Sequence, residues 1–557
     1  MNATRQDKSK KQSNLNQDIL VEEQNKKKTF VAGAAVLGIV GLFIKLLGAV
    51  FRVPLTNIIG ASGMGYYQTA YPVYNMLLMV STSGLPTSIS RMVAERRAQE
   101  HYYEAHRTLM VSFKLMLSIG IVTSVLLFIF APQICAFQLE PDAVFAMRAT
   151  APALLFCPVM SCFRGFFQGR RNMKPTAFSQ ALEQIGRVGF GLGLAYLLLK
   201  IDEAHAAAGA SAGASFGGLF GLLAVLFVYA REKHNIDEEI GLDRTPIQKE
   251  REILKEILII AIPITIGAAI VPILNWIDTL IVKRRLIEIG FAADTARTMF
   301  GELSGMAAPI INFPMVFTQA VTMSIVPVIT DAYKKNDASF IRHNSELGLR
   351  YAFIIMLPCA AGLIILAEPV MKLLYPRQVE SAIAAAGCLV IYAVGMIFIA
   401  SIQAMSGILQ GIGKQNIPVI NLGIGAVIKV IITYILTGVP AINVKGAAIG
   451  TAAAYIIAAA LNYRALVKYT GTRINVRLTI VKPLVSSLAM GACVWLGYKV
   501  AIGHFGNAVS TLISIAIGVL VYVIMIFVTK TITAADLESV PKLRKLSKLL
   551  TKMKLVK

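Results

Sequence analysis

The chain has 557 residues, of which 56% are hydrophobic and only 15% charged, with a formal net charge of +23. A soluble domain carries about 25% charged residues, so most of this chain must face something other than water. The basic residues fall in short clusters between apolar runs and not on one soluble face, which argues against nucleic acid as a partner.

Residues 1–28 are rich in Lys, Gln, Asn and Glu and too poor in apolar side chains to offset the entropy of ordering them, so they read as a disordered basic tail. Lys26-Lys27-Lys28 before Phe30 resembles the start of a signal peptide. The apolar stretch that follows is long enough to span and many more come after it, so an uncleaved first helix is expected. Apolar runs of membrane length then predict spans at 30–58, 64–88, 108–131, 145–166, 176–199 and 209–230. A polar linker, 236–255, separates these from spans at 256–282, 302–330, 347–367, 384–406, 417–437 and 446–464. Two more, 481–501 and 507–529, precede a basic tail at 531–557. The expected architecture is an all-α polytopic membrane protein of about fourteen helices.

The chain also repeats itself. At one offset Gly63-Met64 recurs as Gly305-Met306, Pro72 as Pro314, Gly165 as Gly407 and Gln168-Gly169 as Gln410-Gly411. A slightly smaller offset pairs Gly209-Ala210 with Gly446-Ala447 and Gly213 with Gly450, as loops of unequal length would require. Glycine and proline are common in membrane helices, but these matches stay in register along the chain. Two pseudo-symmetric six-helix bundles, 29–235 and 256–468, follow, with helices 13 and 14 (469–530) outside the repeat. An even number of spans per bundle relates the halves by an axis along the membrane normal, with a site expected between them.

With the N-terminus placed in the cytoplasm, Lys and Arg favour the inner side by about four to one. Both termini are then cytoplasmic and 132–144 lies outside. The local violation is Lys283-Arg284-Arg285, which this topology puts outside.

Charges inside spans cost several kcal/mol and mark protein interiors or wet cavities. Lys114, Arg148, Arg164 and Arg350 lie near span ends, where reaching back to headgroups explains them. Lys45 and Arg52 are seven residues apart, on nearly one helix face and roughly 10 Å apart along the axis. Such a pair suits a diphosphate, Arg by bidentate hydrogen bonds and Lys as a point charge, a reading favoured over the alternative of an Arg52 that snorkels to the outer interface. Arg187 and Lys429 are related by the repeat, so each half places a cation at the same point. Glu183, four residues before Arg187, is a candidate neutralising partner. The other intramembrane acid is Asp278, so the core is net positive and fits an anionic cargo better than an organic cation.

Gly411-Ile412-Gly413-Lys414 lacks the spacing and the hydroxyl residue of a nucleotide-binding loop and reads as a turn. The six cysteines show no CxxC spacing and the six histidines no metal-binding motif, so no disulfide framework, metal centre or enzymatic site is expected.

The sequence resembles the lipid II flippase and stage V sporulation protein B family of polysaccharide exporters, within the multidrug/oligosaccharidyl-lipid/polysaccharide superfamily. The likeness rests on Lys45-Leu46-Leu47-Gly48 with Arg52, Asn57-Ile58-Ile59-Gly60, Tyr71-Pro72 through Gly84-Leu85-Pro86, Ser90-Arg91-Met92-Val93-Ala94-Glu95, and Arg164-Gly165 with Gln168-Gly169. It implies paired bundles working by alternating access, an electropositive cavity for a lipid pyrophosphate, and a groove on the last two helices for a polyprenyl tail. Lys45 stands where such flippases usually carry Arg, and Arg52 is one position later than in Gram-negative members. The likeness also implies sodium as a coupling ion at Asp278, with Asn421 as a second ligand, and no other cofactor.

The expected function is a non-enzymatic flippase for an undecaprenyl-pyrophosphate-linked cell-wall precursor, with Lys45, Arg52, Arg187 and Lys429 as substrate-binding cations. Its partners would be a lipid-linked oligosaccharide, membrane lipids and cell-wall synthesis enzymes. A cation-coupled small-molecule exporter would instead depend on Asp278, and a non-transporting scaffold for envelope synthesis would need none of these charges.

Overall fold

The computed structural model describes residues 41, 47–48, 50–241 and 248–531. Lys45 and most of both tails lie outside the described residues.

All the described elements are helical. The first half contains α1 (50–82), α2 (Leu85–Ala98), α3 (Tyr102–Phe137), α4 (Val144–Thr150), α5 (Ala153–Gly169), α6 (Lys174–Leu198) and α7 (Glu203–Gly241). The second begins with α8 (Glu250–Glu288) and α9 (Ala293–Gly301), which passes through one wide helical turn into α10 (Ala308–Lys334). It continues through α11 (Ala338–Ile365), α12 (Ala367–Leu374), α13 (Val379–Gly411), α14 (Asn416–Thr437) and α15 (Lys445–Thr470). α16 (Lys482–Ile502) and α17 (Asn507–Val528) pair with each other beside α11.

Among the described residues, 11 helices are long and apolar enough to cross a membrane. The count of about fourteen is therefore not reached by that measure: the first expected span lies largely outside the described residues, the second is the latter part of α1, and the fifth coincides with the more polar α6. Helices outrun the spans predicted for them, because α3 at 36 residues is about 54 Å long against a hydrocarbon core of about 30 Å.

Two boundaries differ from expectation. The first and second spans are not separated by a loop; α1 runs through both and turns at Gly60, whose φ of +71° only glycine adopts freely. The second span also stops at residue 82, and Leu85–Ala98 forms a separate helix, with Pro86 in its first turn and Arg96-Arg97 in its last.

The repeat governs packing. α6 lies along α7 as α14 lies along α15. A Cβ at Gly213 would stand 2.5 Å from the Arg187 carbonyl oxygen, and one at Gly450 3.0 Å from the Lys429 carbonyl oxygen. The same close helix approach thus fixes both repeat-related cations. The apolar core divides likewise: one cluster around Leu55, Tyr74, Met116 and Phe166, others around Met306, Tyr375 and Leu389 and around Ile329 and Ile408. A small cluster of Met490, Val494 and Tyr522 joins the last two helices to Leu366. Exposed Leu512, Val519 and Leu520 on α17 face outward, as a lipid-contacting surface does.

Candidate functional site

α1 lies between the halves. Arg52 precedes its turn at Gly60, and Tyr67, Tyr71 and Asn75 follow at four-residue spacing on one helix face. These side chains wall two adjoining chambers. One, of about 690 Å³, is completed by Glu183, Gln184 and Arg187 of α6 and Gln403 of α13. The other, of about 310 Å³, is completed by Asp278 of α8, Lys429 of α14 and Tyr455 of α15. Arg52, Tyr71, Asn75 and Asn312 line both. The structure therefore brings Arg52, Arg187 and Lys429 to one central cavity.

The charges are more balanced than the sequence suggests. Glu183 accepts from Arg187 at 3.5 Å and from Arg164 at 3.0 Å, and Arg164 also donates to Ser179 at 2.6 Å. Arg164, expected to reach for headgroups, is instead a mostly buried strut between α5 and α6, its side chain 11% exposed, and Arg350 is only 4% exposed. Lys114 and Arg148 are exposed, as expected for interfacial cations. Lys429 pairs with Asp278 across from α8. Arg52 makes no ion pair among the described residues; its guanidinium lies 5.7 Å above the Tyr71 ring. It is the cavity cation whose charge has no counter-ion there.

The two residues proposed for sodium do not form a cage. Asp278 is engaged by Lys429, while Asn421, two turns before Lys429 on α14, donates its amide to Asn462 at 2.7 Å outside the cavity. A small cation at Asp278 would have to displace the Lys429 ammonium group. Because Asp278 and Lys429 are both mostly buried, removing either alone leaves a charge stranded, at about 3–5 kcal/mol. Thermal unfolding should show Asp278→Asn and Lys429→Gln each destabilising, and the double variant recovering about 1–3 kcal/mol of the sum. Strict additivity would separate the pair.

At the end of the molecule holding Gly60 the halves close on one another. A Cβ at Gly301 would lie 1.9 Å from the Ala61 carbonyl oxygen, and one at Gly305 2.8 Å from Met64, its own neighbour in the repeat. Gln68 donates to the Ser304 carbonyl at 2.7 Å, and Asn57 to that of Leu374 at 2.7 Å. Glu140, between α3 and α4, meets Lys283 at 3.7 Å and Arg297 at 3.3 Å from the other half. Lys283 also donates to Thr69 at 2.9 Å, and Arg297 lies 4.2 Å over the Tyr66 ring. Glu140 and Lys283 are 3% and 2% exposed. Burial pushes the Glu140 carboxyl above the usual carboxylate range, and the two cations oppose that shift.

This cluster accounts for the Lys283-Arg284-Arg285 run. Lys283 is an interface charge, and Arg285 pairs with Glu288 at 2.5 Å and donates to the Tyr434 carbonyl at 3.1 Å. Sequence reasoning missed the cluster because Glu140 looks like an ordinary loop acid; the one signal was the breach of the positive-inside pattern. At its other end α8 is held by the first half through Arg96–Glu256 at 3.2 Å and Lys114–Glu250 at 3.0 Å. α8 thus bridges the halves, with Pro263 and Pro272 between its anchors.

A separate apolar groove of about 590 Å³ lies between α10, α11, α16 and α17, lined by residues including Phe313, Leu363, Met490 and Val519. Gly362 opens onto it, and a Cβ there would meet nothing within 4 Å.

Residues 30–333 match the family described as polysaccharide biosynthesis protein, and residues 303–435 match MatE. Lipid II flippase MurJ of Bacillus subtilis (strain 168) is 27% identical over 512 residues, covering 88% of this chain and 93% of its own. Stage V sporulation protein B of the same organism is 25% identical, covering 81% and 86%. Among solved structures, a lipid II flippase in an inward closed conformation superposes with a TM-score of 0.66 at 16% identity, over 87% of this chain and 97% of that one. The likeness in fold thus extends over nearly the whole of that flippase.

Proposed function

The chain belongs to the polysaccharide biosynthesis protein family, and on that premise we propose that it is a flippase carrying an undecaprenyl-pyrophosphate-linked saccharide across the cytoplasmic membrane by alternating access. The observation that carries this reading is Arg52, a cavity cation without a counter-ion among the described residues, on the wall shared by both chambers. A guanidinium so placed offers a diphosphate two parallel hydrogen bonds, with Arg187 and Lys429 on either side. Amide side chains such as Gln184, Asn312 and Gln403, beside Tyr71, can take up sugar hydroxyls.

The cavity lies beyond a closed end at Gly60, so loading proceeds from the opposite, cytoplasmic side in the topology proposed above. Release then requires the contacts around Glu140, Gln68 and Asn57 to part. Since α8 is tied to both halves, its Pro263–Pro272 stretch is where bending would be absorbed. A cation-coupled exporter is disfavoured because both cavity acids, Glu183 and Asp278, are held by cations.

The apolar groove suits a polyprenyl tail, which cannot follow its headgroup through a polar cavity. Gly362→Trp would fill the groove from a position with room for a side chain. Transport should fall at least about tenfold with unfolding temperature unchanged, an effect of about 1.4 kcal/mol on tail binding. Unchanged transport by Gly362→Trp would remove the groove from the pathway.

Complementation tests the function itself. A bacterium depleted of its lipid II flippase should grow when this chain is expressed and inserted. Growth failure at normal membrane abundance would exclude lipid II and direct the assay to other undecaprenyl-linked saccharides.

A further inference from the structure

The transport reading leaves the Gly411-Ile412-Gly413-Lys414 turn unused. α13 ends there, with Gly413 at φ +76° and the Lys414 amide donating to the Leu409 carbonyl at 2.8 Å. Only glycine takes that backbone conformation without strain, so the turn fixes where Lys414 emerges. Its ammonium lies 5.5 Å from the Tyr469 ring centre, and that of Lys468 lies 5.5 Å from the same ring. Arg464 stands one turn earlier on α15. Arg464, Lys468 and Tyr469, with Ile417 and Ile420 of α14, line a groove of about 330 Å³. Ile420 is 61% exposed, so one wall of the groove is open to lipid.

None of these three cations has an acid partner among the described residues. Like charges gathered on one ring and at four-residue spacing on one helix repel. The pseudo-symmetric turn of the first half, Gly169-Arg170-Arg171-Asn172, meets the opposite arrangement. There Arg170 pairs with Glu239 of α7 at 2.6 Å, and Asn172 donates to Glu232 at 3.1 Å. Where the end of α7 supplies acids, the end of α15 supplies cations, so among the described residues this turn of the second half has no counterpart to the acids that pair with the turn of the first half.

We propose that this groove binds the phosphate headgroup of an anionic phospholipid, with an acyl chain lying along Ile417 and Ile420. The cations neutralise the phosphate, the Tyr469 edge packs on the glycerol region, and the missing counter-ion is provided by the membrane.

Native mass spectrometry of the full chain in detergent, titrated with phosphatidylglycerol, phosphatidylcholine or inorganic phosphate, tests this. Wild-type protein should retain phosphatidylglycerol in preference to phosphatidylcholine, and inorganic phosphate should not displace it. Arg464→Gln with Lys468→Gln should weaken phosphatidylglycerol binding roughly 30-fold. Lys468→Arg should retain it, and Lys468→Glu, which copies the neutralised first half, should lose it while unfolding at no lower a temperature in lipid-free detergent. Equal phosphatidylglycerol retention by the Gln variant, equal retention of phosphatidylcholine by wild type, or displacement by inorganic phosphate would each overturn the proposal. The outcome is independent of whether a saccharide is carried.

Discussion

Arg52→Ala protein should insert and fold normally yet fail to transport. The side chain lies on the cavity wall, and its contact among the described residues is the Tyr71 ring, worth about 0.5–1 kcal/mol at a wet site. Its loss therefore costs little stability. Toward a diphosphate the same guanidinium supplies charge-assisted hydrogen bonds of about 1.5–3 kcal/mol each, so cargo affinity should drop by roughly 10- to 100-fold or more. Arg52→Lys keeps the charge but replaces a planar fork by a point, and should fall between the two. Transport at matched membrane abundance is the measurement. Equal activity of the Lys and wild-type proteins, with Ala only mildly impaired, would return Arg52 to an interfacial, snorkelling role.

The second large effect is expected at Glu140. Glu140→Gln keeps the shape of the side chain and removes the charge that holds Lys283 and Arg297, leaving a lysine that is 2% exposed without its anion. Breaking such a buried pair from one side costs about 3–5 kcal/mol. That cost falls on the closed arrangement alone, because Glu140 belongs to one half and both cations to the other. The open state should gain by roughly a hundredfold or more. A cysteine at Met64, fully buried between the halves, would report it by faster reaction with a membrane-impermeant thiol reagent. Adding Lys283→Met should slow the reaction again, since Arg297 retains Asp294 at 2.5 Å. Unaltered labelling in folded Glu140→Gln protein would show that the helix contacts at Gly301 and Gly305 close that end unaided.

What the sequence disclosed, and what it withheld, follows from the range of the interactions involved. The duplication was legible because glycines recur wherever two helices touch, and Gly213 and Gly450 indeed press on the carbonyls of Arg187 and Lys429. Arg52 was legible as a charge within an apolar run. The partners were not. Asp278 and Lys429 come from α8 and α14, and no periodicity along one helix can reveal a pair formed between two distant ones. For the same reason Arg164 and Arg350 looked interfacial when they are interior. Asn421 was set beside Asp278 by the family resemblance and by no spacing within this chain, whereas the fold turns it to Asn462. Gly60 was assigned to a loop because a mid-helix glycine at positive φ has no distinct sequence signature. The polar α2 was missed as an element because it lacks the apolar length by which spans were found.

The central claim is that the cavity moves a lipid-linked anion past Arg52. Vesicles reconstituted with the purified chain and loaded with undecaprenyl-pyrophosphate-linked disaccharide test it directly, by the rate at which the sugar becomes accessible to an external modifying enzyme. The wild-type chain should raise that rate well above protein-free vesicles, and Arg52→Ala should return it to background. Equal rates for both proteins, or no movement of the disaccharide alongside efficient movement of an organic cation, would contradict the account.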